Sequence, residues 1–238
     1  MKSQIYVLLI LFLSSVGFAQ PKLSLDLGLG LYQPTLTGFD ENNIAFPNKS
    51  FTNRNLMLNW GIYYEFFNNA RVGYNSFLSY DGTNKLEVQL TDANAEASFR
   101  RTIQYRFFPI ETFFRWKPRI ELNFTLSPIW GKSEISLETS SDDQLEFWQS
   151  FMNSFGEGSS LGTFKSTEKM ASNWFGYSSV LGLRYYITSR IGIDIKSGFM
   201  NNFYNEKNWK LNGRKVTGPK MKISDLPIFS LKFIYAIR

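Results

Sequence analysis

The strongest constraint on this chain is an alternation of apolar with small or polar residues that recurs eight times at a period of two. Leu23, Leu25, Leu27, Leu29 and Leu31 alternate with Ser24, Asp26, Gly28 and Gly30. Leu56, Leu58, Trp60, Ile62, Tyr64 and Phe66 do so against Asn59, Gly61 and Glu65. Val72, Tyr74, Leu78 and Tyr80 oppose Arg71, Gly73, Asn75 and Ser79, and the phase runs on through Leu86, Val88 and Leu90. Ile120, Leu122, Phe124, Leu126 and Trp130 form the fifth run. Tyr177, Leu181, Leu183, Tyr185 and Ile187 form the sixth, and Ile191, Ile193, Ile195 and Phe199 the seventh. Phe229, Leu231, Phe233, Tyr235 and Ile237 form the last. A period of two places one residue class on each face of a β-strand.

The fourth run changes phase. Phe99, Ile103, Tyr105 and Phe107 are odd-numbered, whereas Ile110, Phe114 and Trp116 are even. Placing both sets on one face requires a β-bulge near Phe108-Pro109, where the missing proline N–H costs nothing.

The links between runs alternate in length. Asn68-Asn69-Ala70, Lys117-Pro118-Arg119 and Thr188-Ser189-Arg190 are tight turns, while 33–54, 81–98, 132–172 and 200–225 are long. Short turns at one end and long loops at the other are the arrangement of an up-and-down transmembrane barrel. The expected fold is therefore all-β: an eight-stranded antiparallel transmembrane up-and-down β-barrel with long extracellular loops; a soluble β-barrel or β-sandwich, which alternates in the same way with its apolar face inward, is the alternative. The apolar phase carries Trp60, Tyr64, Tyr74, Tyr80, Trp116, Trp130, Tyr177, Tyr185 and Tyr235, the residue types of interfacial girdles. Aromatic residues make up 17% of the chain, yet the mean hydropathy is −0.22. That combination fits a wall of which only every second residue meets lipid.

The N-terminus reads as a secretory signal. Lys2 precedes an apolar run from Ile5 to Leu13, and Gly17-Phe18-Ala19 supplies small residues for cleavage after Ala19. Residues 1–19 are thus expected to be removed, leaving 20–238 as one barrel domain in the bacterial outer membrane. No later stretch is apolar for long enough to form a membrane helix. The chain has no cysteine, which excludes a lipoprotein anchor and disulfides. Nucleic acid is not an expected partner, because the net charge of +6 includes no basic recognition cluster.

These runs resemble the small eight-stranded outer-membrane β-barrel proteins common in Bacteroidota-type bacteria, loosely similar to the OmpA and OmpX barrels. The resemblance rests on Ala19-Gln20 after the signal, on NLMLNWGIYYEFF and GYSSVLGLRYYI, and on the terminal IFSLKFIYAIR. It implies a porin-like cell-envelope protein of Gram-negative type, in contact with outer-membrane lipid and lipopolysaccharide.

The chain contains no histidine. Enzymatic outer-membrane barrels resemble one another in using a catalytic histidine, and without it a serine or water lacks its usual base near neutral pH. No enzyme activity, cofactor or metal site is expected. Ser166 and Lys169 fit a Ser-x-x-Lys spacing, but the helix and companion motifs of that chemistry are missing. Gly28 and Gly30 form a lone GxG with no following helix and read as small strand residues.

Ten charges fall on the phase opposite the aromatics: Asp26, Glu65, Arg71, Glu111, Arg115, Glu121, Arg184, Asp194, Lys196 and Lys232. Eight strands enclose a lumen that side chains about fill, so these are expected to form a polar network, either as a closed plug or as an ion path. Residues 132–172 carry a net charge of −4 and residues 200–225 a net of +4. Neighbouring loops of opposite sign neutralise each other, or the basic one, through Lys207, Lys210, Arg214, Lys215, Lys220 and Lys222, meets an anionic partner such as lipopolysaccharide phosphate. In the acidic loop, Trp148, Phe151, Met152 and Phe155 recur at helical spacing after Asp142-Asp143. A short helix there either caps the barrel, lies on the leaflet or docks an envelope protein. The expected function is a structural or surface-binding platform, with an accessory subunit of a secretion or surface-assembly complex, or a narrow pore, as alternatives.

Overall fold

A computed structural model of the chain describes residues 22–32, 35–37, 44–45, 55–80, 84–89, 94–139, 144–153, 169–222 and 226–237. The signal segment 1–19 lies outside them. In chain order the strands begin with β1 (Lys22–Tyr32), β2 (Thr35–Thr37), β3 (Ile44–Ala45), β4 (Asn55–Phe67) and β5 (Ala70–Tyr80). They continue with β6 (Asn84–Gln89), β7 (Asn94–Phe107), β8 (Ile110–Lys117), β9 (Ile120–Thr139) and β10 (Lys169–Tyr186). The last are β11 (Ile191–Asn202), β12 (Trp209–Leu211), β13 (Arg214–Val216), β14 (Lys220–Lys222) and β15 (Leu226–Ile237). An α-helix, α1 (Gln144–Asn153), lies between β9 and β10.

Eight antiparallel staves close on themselves. β1 pairs with both β4 and β15, and Leu23 stands opposite Tyr64 on one side and Ile237 on the other. The circuit continues through β5, then β7 with β8, then β9, β10 and β11, and returns to β15. Closure removes the edges that an open sheet would present. At one end the staves are joined by the tight turns after β4, β8 and β10, stitched to their neighbours by bonds such as Phe113 N to Asn69 O (3.0 Å) and Ala236 N to Arg190 O (2.7 Å). This is the turn end; the other is the loop end.

Along the turn-end half of every stave the apolar phase faces outward. Leu181 is 67% exposed, Phe199 65% and Trp116 65%, and comparable residues recur around the whole wall. A water-soluble surface does not carry an apolar patch of that extent, whereas a lipid-facing belt requires it.

The bulge expected near Phe108-Pro109 is absent. Asn75 opposes Phe107 and Val72 opposes Ile110, the same register on both sides of the proline. On the other flank Phe107 opposes Ile129 and Ile110 opposes Leu126, again without a shift. The ladder passes through Phe108 N to Pro128 O (3.0 Å) and Gly73 N to Pro109 O (2.9 Å). The phase change has another cause: Ile103, Tyr105 and Phe107 point inward and are buried. The expectation was wrong because it assumed that an apolar residue in a membrane barrel faces lipid.

Those residues belong to an apolar core inside the loop-end half of the barrel, with Met57, Phe77, Ile129, Ile135, Trp174 and Met200. The sheet also extends further than the apolar alternation indicated. β9 runs to Thr139 and β10 starts at Lys169, so 132–139 and 169–172, expected in a loop, are strand. Beyond the belt the outward face turns polar while the backbone ladder persists.

Candidate functional site

The turn-end half of the lumen is polar. Asp26 on β1, Arg71 on β5, Glu111 on β8, Glu121 on β9, Arg184 on β10, Asp194 and Lys196 on β11, and Lys232 on β15 are all buried. Four acids thus meet four bases. Glu111 is the hub: Arg71 Nε lies 2.9 Å away, Arg184 Nη2 lies 3.4 Å away, and Lys196 Nζ bonds it directly. Thr125 Oγ1 donates at 2.8 Å to the oxygen that Lys196 bonds. Glu121 receives Arg71 and lies 3.5 Å from Arg184 Nη1. Asp194 takes a forked bond from Arg184, Nη2 at 2.7 Å and Nε at 3.2 Å. Lys232 bonds Asp26 at 2.8 Å and Asn75 at 3.2 Å, and Asn75 Nδ2 donates to the Tyr63 hydroxyl at 2.7 Å. The Lys196 and Lys232 ammoniums lie 5.5 Å and 5.7 Å from the centroid of the Tyr63 ring, which joins the two halves of the network.

Glu65 and Arg115, the remaining two of the ten, sit at the turn-end rim. Arg115 is half exposed and lies 3.5 Å from Glu65 and 3.6 Å from Glu121. Burying eight charges is costly unless each has close counter-charges and hydrogen bonds; every member here has a counter-charge close by, while Asp26 Oδ1, Arg71 Nε, Glu121 Oε2 and Arg184 Nη1 have no hydrogen-bond partner among the described residues. Gly61 makes the space: a Cβ there would collide with Asn75 Oδ1 and Asp26 Oδ1. Between the polar and apolar halves the residual gap is about 30 Å³, room for a water or two. A wider vestibule of about 530 Å³ opens at the turn end beside Arg71, Arg115 and Arg119.

Sequence reasoning missed Tyr63, Asn75, Asn123 and Thr125, the neutral members of the network. Each falls on the inward phase of its run, so parity marked them; attention to formal charge passed them over. Arg101, also fully buried, was missed for the same reason as Ile103.

Helix α1 covers the apolar half. Trp148, Phe151 and Met152 have no exposed surface, and Trp148 meets Phe151 edge-on at 5.9 Å. These three side chains pack with the buried apolar cluster of the barrel interior. Phe155 lies outside the described residues.

The basic segment after β11 is largely folded rather than a loop. β12 and β13 form a hairpin whose turn, Asn212 (φ 51°) and Gly213 (φ 77°), has the two positive φ angles of a type I′ turn. β12 adds to the projecting end of β10, Leu211 opposite Met170 and Lys210 opposite Ala171. Trp209, Leu211 and Val216 are buried beneath it, while Lys207, Lys210, Arg214, Lys215 and Lys220 are exposed. The side chains of Lys222 and of six of the seven acids in 132–172 lie outside the described residues. Lys210 stands directly opposite Lys215.

Tyr204 ties this extension to the barrel. Its hydroxyl accepts from Trp209 Nε1 at 2.6 Å and donates to Pro219 O, and its ring meets Trp174 edge-on at 5.4 Å. Burial pushes the Tyr204 hydroxyl well above its ordinary value, against the lowering effect of the Trp209 bond. The folded extension therefore holds this proton where an unfolded chain releases it, so its stability falls as pH rises above about 10. Y204F should lose roughly 1–3 kcal/mol of local stability below that pH and show a flatter pH dependence above it. Limited proteolysis within 203–219 at pH 9 and 11 reads both; an unchanged profile in Y204F refutes the assignment.

The sequence matches no protein-family model and no curated protein. Solved structures do match. The chain superposes on a major outer membrane protein from Thermus thermophilus with a TM-score of 0.53 at 10% identity, covering 92% of this chain and 100% of that one. OprG from Pseudomonas aeruginosa gives 0.51 at 11% identity, over 91% and 96%. The fold is that of a small outer-membrane β-barrel. At such identities an outer-membrane barrel fold is what is shared, and the lumen network and basic hairpin are read from this chain's own residues.

Proposed function

We propose that this chain is a non-enzymatic outer-membrane barrel that serves as a rigid platform and binds an anionic partner through its basic hairpin at the cell surface. The reading places the turn end in the periplasm and takes residues 1–19 as the export signal. The observation that carries it is the cross-strand pair of Lys210 and Lys215 on the exposed face of the hairpin. Like charges directly opposite each other destabilise a ladder by roughly 0.2–1 kcal/mol, and Lys169 at the start of β10 adds a third exposed cation nearby. A self-repelling cluster on an anchored extension is suited to an anion. The filled lumen supports a platform over a pore, and the missing histidine and cysteine support binding over catalysis.

The two properties of the hairpin move in opposite directions under substitution. K210Q/R214Q/K215Q should weaken binding of dextran sulfate about tenfold, from three exposed charge contacts, while leaving the extension as stable or slightly more so. Equal binding by the variant overturns the hairpin's role. Planar-bilayer recording of the wild type should be silent, and a steady conductance overturns the platform. Heat-modifiable migration together with outer-membrane fractionation tests the location.

A further inference from the structure

Arg106 on β7 points outward from the lipid-facing wall and is exposed. Among the described residues, no carboxylate lies within ion-pair distance of it. Lys132, its diagonal neighbour across the β7–β9 ladder, is by contrast bonded to Glu134 at 2.6 Å. Arg106 opposes Trp130, and Trp130 opposes Phe175. The two rings meet edge-on at 4.4 Å. With Phe108 and Pro128 they wall a groove of about 300 Å³ in the outer surface, with Arg106 at its rim.

The level of this groove matters. Toward the turn end the same face carries Phe108, Ile110 and Leu126, the lipid belt. Toward the loop end it carries Gln104, Lys132 and Glu134, which are only partly exposed and polar. Arg106 therefore sits where acyl chains give way to headgroups, with aromatic surface on the acyl side and polar groups on the other. A guanidinium presents a planar fork of donors that matches phosphate, and aromatic faces suit the first methylenes of an acyl chain.

We propose that the Arg106 groove binds lipid A, its phosphate on the guanidinium and one acyl chain along Phe108, Trp130 and Phe175. The choice of lipid A over a glycerophospholipid rests on the orientation given under the proposed function, which puts this level in the outer leaflet. The site is separate from the hairpin, which projects beyond it.

The test uses the full chain in detergent, with native mass spectrometry of bound diphosphoryl lipid A, monophosphoryl lipid A and phosphatidylglycerol. The wild type should hold diphosphoryl lipid A roughly tenfold more tightly than R106Q, whereas R190Q, an exposed cation at the turn end of the barrel, should bind it as the wild type does. The exposed position of Arg106 leaves the fold intact, which heat-modifiable migration of R106Q checks. Equal retention by R106Q overturns the site, and equal retention of phosphatidylglycerol overturns the assignment to lipid A. Because binding is read in detergent, it decides the groove's ligand wherever the protein resides. Fractionation separately decides the location, and protease cleavage of the hairpin on intact cells decides the orientation.

Discussion

Glu111→Ala should destabilise the barrel by about 3–5 kcal/mol, the penalty for leaving buried charges without their counter-charge. Arg71, Arg184 and Lys196 all converge on this carboxylate, and Thr125 loses its acceptor as well. All three cations are almost fully buried, so water replaces little of the lost counter-charge. The same truncation at Glu65 should cost no more than about 1 kcal/mol, since its partner Arg115 is half exposed and water replaces the contact. Urea midpoints followed by the heat-modifiable gel shift measure both. The excess at Glu111 should shrink in Glu111→Ala/Lys196→Met, which removes one orphaned cation and leaves its apolar stem. Similar losses at Glu111 and Glu65 would mean that water reaches the lumen and that the network is not a dry plug.

Trp148→Ala should cost about 3–5 kcal/mol, as for other large aromatic truncations in a packed core, but the loss should stay local. A helix of ten residues is marginal in water by itself, so α1 persists through the packing of Trp148, Phe151 and Met152 over the apolar half of the lumen. Removing the largest of these should release the helix while the eight staves, joined by their own ladders, remain closed. Hydrogen exchange should therefore rise across 144–153 and stay unchanged in β1, β4, β11 and β15. Parallel loss of protection in those strands would show that cap and barrel fold as one unit. The Glu111 and Trp148 variants together probe the two halves of the lumen: one is held by charge pairing, the other by apolar packing worth roughly 1.5–3 kcal/mol per buried side chain.

Much of this architecture was legible from alternation. Eight runs with three tight turns indicated eight staves, because a strand pair joined by two or three residues is antiparallel and adjacent; the ladder between β1 and β15 is what closes them into a circuit. Parity also placed Asp26, Glu111, Glu121 and Asp194 on the same side of the wall as Arg71, Arg184, Lys196 and Lys232. Strand parity is a backbone property and needs no knowledge of neighbours. The odd-numbered apolar residues of β7 show where it stopped being enough. Ile103, Tyr105 and Phe107 look the same in sequence whether they meet lipid or a packed interior. The continuous register across Pro109 resolves that ambiguity.

Loop boundaries failed for a related reason. Past the lipid belt there is no longer an apolar phase to follow, yet β9 and β10 continue to pair from Trp130–Phe175 up to Ser136–Lys169, since backbone hydrogen bonds need no particular side chain. The hairpin of β12 and β13 announced itself only by Asn212-Gly213, a strong two-residue turn signal set among charges.

The sequence by itself determined the class, the number of staves, the end at which the turns lie and which charges share the inner face, because each follows from a local period of two. Only the tertiary structure decided how those charges pair, that the loop-end half of the lumen is apolar and covered by α1, and that Arg106 stands at the edge of the lipid belt beside an aromatic groove. Each of those depends on which residues of distant strands meet across a closed ladder, and local periodicity carries no record of that.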